Sequence, residues 1–272
     1  MKRKLLSVLL TFCLAFSLLP TAALAEGPAE TWADAVTEQP VGYGIDETNK
    51  TLTISSAEGL AWFAKQINSV SEKQTADAGF KGYTINITED IDLSGKLWIP
   101  IDPETVKPDG RTDRADTFNN KLLNDATING NDKKIIGMTV KTSVRGPREN
   151  SNPGDGQNAY YYAGFIGRST GELTIKNITF EGAYVSAENE PYVKNNGSSS
   201  LAVVCGYNGG TLTCTNVDIK NCSVTAAQKA GGFVGQDGGS LTLNTCSVVG
   251  STFNAEWFAA PIDAYAMGTQ YN

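Results

Sequence analysis

Asp90 and Asp92 stand two apart in a stretch that reads as a strand, so their carboxylates are expected on one face. Such a pair can bind Ca²⁺ or act as acid and base on a glycosidic bond. The plainer reading is a turn pair flanking Ile91. A denser cluster follows, with Asp109, Asp113 and Asp116 separated by Arg111 and Arg114. It lacks the Asp-x-Asp-x-Asp-Gly spacing of a calcium loop, and a charge run of this kind reads first as solvated surface. The chain contains no histidine. That removes serine triads, cysteine–histidine pairs, imidazole acid–base chemistry and histidine metal ligands. Carboxylate chemistry remains as the catalytic alternative, and no cofactor is expected unless these aspartates take Ca²⁺.

Tyrosines offer binding rather than catalysis. Tyr160, Tyr161, Tyr162, Tyr184, Tyr192 and Tyr207 lie near expected strand ends, where an apolar ring with a polar tip can stack on a sugar. Core packing and strand propensity account for the same residues equally well. The cysteines outside the N-terminal leader are Cys205, Cys214, Cys222 and Cys246, an even count that permits disulfides in an exported protein.

What must position these groups is an internal repeat. Gly167-Arg-Ser-Thr-Gly-Glu-Leu-Thr-Ile-Lys-Asn-Ile-Thr-Phe180 returns from Gly206 to Ile219 and again from Gly235 to Val248. Aligned on those glycines, the copies bring together Leu173, Leu212 and Leu241; Ile175, Cys214 and Leu243; Phe180, Ile219 and Val248; and Val185, Val224 and Phe253. Ile166 and Val234 fall opposite Cys205, and Val217 opposite Cys246, so the cysteines substitute for small hydrophobes and buried free thiols are expected. No Cys-x-x-Cys metal spacing occurs. The alternation Leu-Thr-Ile, Leu-Thr-Cys and Leu-Thr-Leu marks short strands with one buried face. The anchor glycines are 39 and 29 residues apart, the longer step absorbing a loop over 188–200. A stacked all-β architecture is implied, a parallel β-helix in which like residues lie on like about 4.8 Å apart. Asn177 and Asn216 fall at a corner where an amide tolerates left-handed backbone, with Thr245 in the third copy.

The rest of the chain frames the repeat. Residues 1–25 have the basic start, apolar run and small-residue site of a secretory signal, with cleavage expected near Ala25. Once it is removed the chain carries 19 basic against 29 acidic residues, a balance that attracts neither nucleic acid nor anionic lipid. No later stretch is long and apolar enough for a membrane span. A secreted or cell-surface location is expected, with a host or cell-wall glycan or a surface protein as partner.

Residues 26–40 read as a flexible leader and 41–81 as an N-terminal cap. The cap holds a hairpin, Val41–Ile45 with Thr51–Ile54, and a helix over about 56–69 opened by a capping box Ser55-Ser-Ala-Glu58. Leu60, Phe63, Ala64 and Ile67 share its apolar face, and it is the one helix expected, laid over the open end of the stack. Coils run over 82–255, interrupted by polar loops at 103–116 and 143–157. After Phe253 the segment Ala255–Ile262 breaks the period, leaving 256–272 as an incomplete coil or truncated end. No polar cap follows, so the chain reads either as a poorly capped stack or as the N-terminal part of a longer surface protein.

Gly-Phe-Ile-Gly at 164–167 and Gly-Gly-Phe-Val-Gly at 231–235, each followed by Gly-x-Leu-Thr and a Cys or Asn corner, resemble the GLUG-type repeats of secreted bacterial surface proteins. Leu60-Ala-Trp-Phe-Ala64, Thr88–Gly95, Trp98–Ile101 and Ile128–Ile135 resemble the lead-in segment of the same proteins, although Phe118-Asn-Asn lacks the glycine usual after that aromatic. The resemblance covers residues 50–255 and implies a right-handed β-helix of pectate-lyase-like shape with one N-terminal capping helix. Its function is expected to be a non-catalytic adhesion or glycan-contact scaffold; the alternative is a polysaccharide lyase or glycoside hydrolase using the aspartates named above.

Overall fold

Alternating apolar and polar residues specify strands buried on one face, and in this protein the buried faces all meet in one hydrophobic core. The structure, a computed structural model, describes residues 30–69, 79–105, 123–141, 160–187, 200–226 and 228–267. Strands dominate it and fall into four sheets. The largest runs in the order Tyr43–Asp46, Thr51–Ile54, Thr84–Ile87, Ala126–Ile136, Glu172–Glu181, Thr211–Lys220 and Ser240–Asn244. A second holds Thr139–Lys141, Tyr184–Ser186, Ser223–Ala226 and Thr252–Ala255, and a third Glu104–Thr105, Tyr160–Ala163, Ser200–Ala202, Lys229–Gly231 and Phe258–Ala260. The fourth contains Ile166–Ser169, Cys205–Asn208 and Val234–Asp237. Pairing is parallel except for the hairpin Tyr43–Asp46 with Thr51–Ile54 and for Glu104–Thr105 against Tyr160–Ala163.

Each copy of the repeat contributes to every sheet, and the sequence alignment is the strand register. Leu173 pairs with Leu212 and Leu212 with Leu241; Ile175 with Cys214 and Cys214 with Leu243. Phe180, Ile219 and Val248 follow, as do Val185, Val224 and Phe253. Cys205 lies between Ile166 and Val234. The backbone turns at Asn177, Asn216 and Thr245, each with φ of +54°. The side-chain amide of Asn216 donates to Asn177 Oδ1 at 3.2 Å, and that of Asn177 to Asn129 Oδ1 at 3.1 Å. A branched Thr245 in this left-handed conformation is strained and ends the amide ladder.

The anchor glycines have a steric role. A Cβ on Gly206 would lie 2.5 Å from the Ala163 nitrogen, 2.8 Å from the Gly167 oxygen and 2.9 Å from the Ser200 oxygen. At Gly235 it would meet the backbone of Gly206 and Leu201 at 2.9 Å. Only a residue without Cβ lets the third and fourth sheets approach backbone to backbone.

At the N-terminal end, helix α1 (Trp32–Ala35) precedes the hairpin and helix α2 (Ala57–Asn68) follows it. Leu60, Phe63, Ala64 and Ile67 of α2 are buried in the core as their spacing predicts. Its N-cap is Ser56, whose hydroxyl accepts from the Gly59 N–H at 3.0 Å, one residue later than the Ser55–Glu58 box. The expected flexible leader is corrected from Thr31 onward: α1 is a second helix, and the Trp32 indole donates to the Leu93 carbonyl at 2.9 Å. The Lys65 ammonium donates to the carbonyls of Ala33 and Val36. A helix of one turn leaves no periodicity in the sequence, which is why it was not legible. The expected loop 103–116 likewise opens with a paired strand, Glu104–Thr105, because Tyr160–Ala163 offers it a free edge. The loop at 143–157 lies outside the described residues.

Strand pairing continues past Phe253, where the period of the sequence breaks. Lys229 pairs with Phe258, Val234 with Asp263 and Asp237 with Ala266, all at the same 29-residue step. Register is carried by backbone hydrogen bonds, so it persists where the side-chain signature fades.

Two substitutions test these points. Gly206→Ala should destabilise by about 1–3 kcal/mol through overpacking, whereas Gly44→Ala, with no atom within 4 Å of its new Cβ, should change stability little; equal effects in urea unfolding would contradict the steric role. Thr245→Asn should stabilise by about 1 kcal/mol by relieving left-handed strain, read as a higher unfolding midpoint.

Candidate functional site

The outward face of the largest sheet is the most regular surface of the protein. Thr51, Thr84, Thr127, Thr174, Thr213 and Thr242 pair in register across it, each half-buried. The neighbouring outward column is Thr53, Asn86, Asn129, Lys176, Thr215 and Asn244. Parallel strands set these side chains about 4.8 Å apart, so the face is a regular array of hydroxyl and amide groups with one ammonium, Lys176. Its amides are oriented by their neighbours: Asn129 donates to Asn86 at 3.4 Å and to Asn131 at 2.8 Å, and Asn244 donates to Thr215 at 3.4 Å. The three-copy alignment missed this array, because half of the column comes from strands before the recognisable repeat. The signal was present as Thr-x-Thr or Thr-x-Asn triplets at 51–53, 84–86 and 127–129.

The sequence-predicted aspartates Asp90 and Asp92 are both exposed on either side of buried Ile91. Asp90 accepts from the Lys134 N–H at 2.9 Å, and Asp92 from the Ser94 N–H at 2.9 Å. Hydrogen bonds from the Ser94 side chain and backbone hold the Asp92 carboxyl below the usual carboxylate range. Both carboxylates thus organise backbone turns. Asp109, Asp113, Asp116 and Tyr192 lie outside the described residues. Among the described residues no group of three or more His, Cys, Asp or Glu side chains is gathered to hold a metal ion.

The tyrosines divide. Tyr162 is buried, its ring stacked on Tyr207 with centroids 4.8 Å apart and planes at 20°, which removes it as a sugar platform. Tyr184 is half-buried in the second sheet. Tyr160 and Tyr161 lie in the strand Tyr160–Ala163, and their side chains are outside the description.

Two polar contacts lie at the fourth sheet, one along it and one bridging it to the third. Asn208 donates to Asp237 Oδ1 at 2.8 Å, and Asp237 also accepts from the Gly239 N–H at 3.0 Å. The Lys229 ammonium donates to Gln236 Oε1 at 2.8 Å and lies 5.0 Å from the Tyr265 ring centroid. Burial of Lys229 pushes its pKa down to about 8. The thiols behave oppositely. Burial raises Cys205 to about 12 and moves Cys214, Cys222 and Cys246 in the same direction. All four are free, and Cys246 alone is half-buried rather than buried.

Comparison with family models, with curated proteins and with solved structures returns no match.

The thiol environment predicts that, in the chain without residues 1–25 and their Cys13, a disulfide-exchange reagent modifies at most Cys246 in the native protein and all four cysteines after unfolding without reductant. Fewer than four in the unfolded chain would reveal a disulfide. For Lys229 the lowered pKa means that protonation opposes folding. Stability from this site is present above the ordinary value of 10.5 and is lost as pH falls toward about 8. Lys229→Met should therefore raise the melting temperature most below pH 8, with the advantage shrinking toward pH 10.5; a pH-independent difference would contradict this.

Proposed function

We propose that this chain is an exported, non-catalytic scaffold, a right-handed parallel β-helix of the GLUG-repeat type, that contacts extended glycan through the threonine–asparagine face of its largest sheet. The observation that carries the reading is the six-residue threonine column flanked by oriented amides. Such a face offers donors and acceptors at a fixed period to a chain of hydroxyl-bearing units. The β-helix assignment is supported by parallel pairing of every repeat copy with the next, and its hand by the strong preference of parallel crossovers for the right-handed connection. Export is supported by the N-terminal segment, whose basic, apolar and small-residue parts follow the secretory order.

The competing enzymatic reading rests on Asp90 and Asp92, whose carboxylates are engaged with backbone N–H groups. A glycan array of plant, host and bacterial cell-wall polysaccharides distinguishes the two. Binding without turnover is expected, and Thr174→Glu with Thr213→Glu should weaken it more than about tenfold, the effect of about 1.4 kcal/mol. Absence of binding to any glycan, binding unchanged in the double variant, or polysaccharide cleavage abolished by Asp92→Asn would each overturn the proposal.

A further inference from the structure

The strands of the largest sheet change character at their corners. Before the corners at Asn177 and Asn216, the two outward columns of the threonine–asparagine face hold a single charged residue, Lys176. Past the corners the same strands carry Lys134 and Asp218 in one outward column and Glu181 and Lys220 in the next. These are joined by ion pairs, Lys134 with Glu181 and Lys220 with Asp218, each at 2.9 Å. Charge is thus kept off one strip of a chain whose net charge is −7. A polyanion approaching that chain is repelled, and one ammonium on the strip does little to offset it. The occupant that fits is neutral.

Six strands at about 4.8 Å, and two columns two residues apart, make the strip roughly 24 Å long and roughly 7 Å wide. That outline is one polymer chain in width, and its long direction crosses the strands. None of the side chains in the two columns is aromatic, so the strip lacks the large ring contacts that anchor most binding surfaces. It offers hydrogen bonds instead, each worth little after exchange with water. The protein side is ordered in advance: threonine is stiff at χ1, and the Asn129 and Asn244 amides are held by Asn86 and Thr215. Gain then depends on the ligand. A soluble chain must lose torsional freedom unit by unit to match the period of the strands, whereas a chain already packed among others has lost it beforehand. Weak, equal contacts repeated along a rigid partner add up through avidity.

We infer that the occupant of this strip is a neutral polysaccharide in an ordered, insoluble assembly, one of whose surface chains lies across the strands from Thr51 to Thr242. The inference rests on the glycan reading of the same face and names the class and physical state of that glycan.

Depletion of the chain, after signal removal, by weighed polysaccharide tests it. The probes are cellulose, chitin and mannan in crystalline form, the same polymers swollen to disorder, their soluble hexamers, and soluble polygalacturonate. At least one crystalline polymer should bind more than about tenfold tighter than its swollen form and its hexamer, because its chains are ordered beforehand. Binding should be the same at low and high salt, since no charge pairing is involved. Thr84→Val and, separately, Thr213→Val keep the β-branched shape and remove one hydroxyl, and each should weaken binding about threefold or more. Lys220→Ala, past the corner, should leave it unchanged. Circular dichroism of each variant separates lost binding from lost fold. Equal or tighter binding to swollen or soluble chains, preference for polygalacturonate, loss of binding in high salt, or indifference to Thr84→Val would overturn the inference and leave the glycan reading standing. Failure to bind any of the polysaccharides would overturn both.

Discussion

Backbone hydrogen bonding between equivalent strands, at a step of 29 residues in the later copies, is the constraint on which the rest of this protein depends. Once Leu212 is paired with Leu241, every other residue of the copy is set beside its counterpart. Apolar positions become continuous columns, polar positions become ladders, and corners must recur at the same place. No single copy can bury its own apolar face, so stability is a property of neighbouring copies together. This explains why Cys205 and Cys214 are tolerated inside the core: each sits between aliphatic counterparts and needs only their volume.

The same constraint fixes where conformational freedom is required. Corners at Asn177, Asn216 and Thr245 all lie in the left-handed region, and in a second series Gly137, Gly182, Asn221 and Gly250 have φ of +55° to +65°. Asparagine and glycine satisfy that geometry at low cost, and threonine does not. The glycines at 206 and 235 answer a different need, the contact of two sheets with no room for a side chain. The glycines of Gly-Phe-Val-Gly at 232–235 thus serve close packing of the backbone.

Legibility in the sequence followed the physics of repetition. Three copies allowed each core position to be read three times, and the alignment agreed residue by residue with the strand register. Where a feature occurred once, it was missed or displaced: the short helix at Trp32–Ala35, the cap at Ser56 rather than Ser55, and the strand at Glu104–Thr105. Past Phe253 the chain read only as an incomplete coil or truncated end because Ala264 and Pro261 stand where earlier copies have Gly235 and Gly232, while its backbone pairing continued. The threonine face was hidden for the opposite reason. Each strand shows only one or two polar alternates, and the column exists only when six strands from repeat and non-repeat segments are laid side by side. Function is less legible than fold because a fold does not fix what its surface does, and the candidates Asp109, Asp113, Asp116 and Tyr192 lie outside the described residues.

The register itself can be measured. In a chain without residues 1–25, which carry Cys13, and with its other cysteines exchanged for their counterparts in neighbouring copies (Cys205→Val, Cys214→Leu, Cys222→Ala and Cys246→Val), nitroxide labels are placed at Thr174→Cys and Thr242→Cys. These positions lie two strands apart in one outward column, with Cα atoms about 10 Å apart by strand spacing. Strong dipolar broadening of the electron paramagnetic resonance spectrum, lost on unfolding, is the predicted result. A native spectrum no broader than the sum of the singly labelled chains would contradict the register and with it the account of the fold.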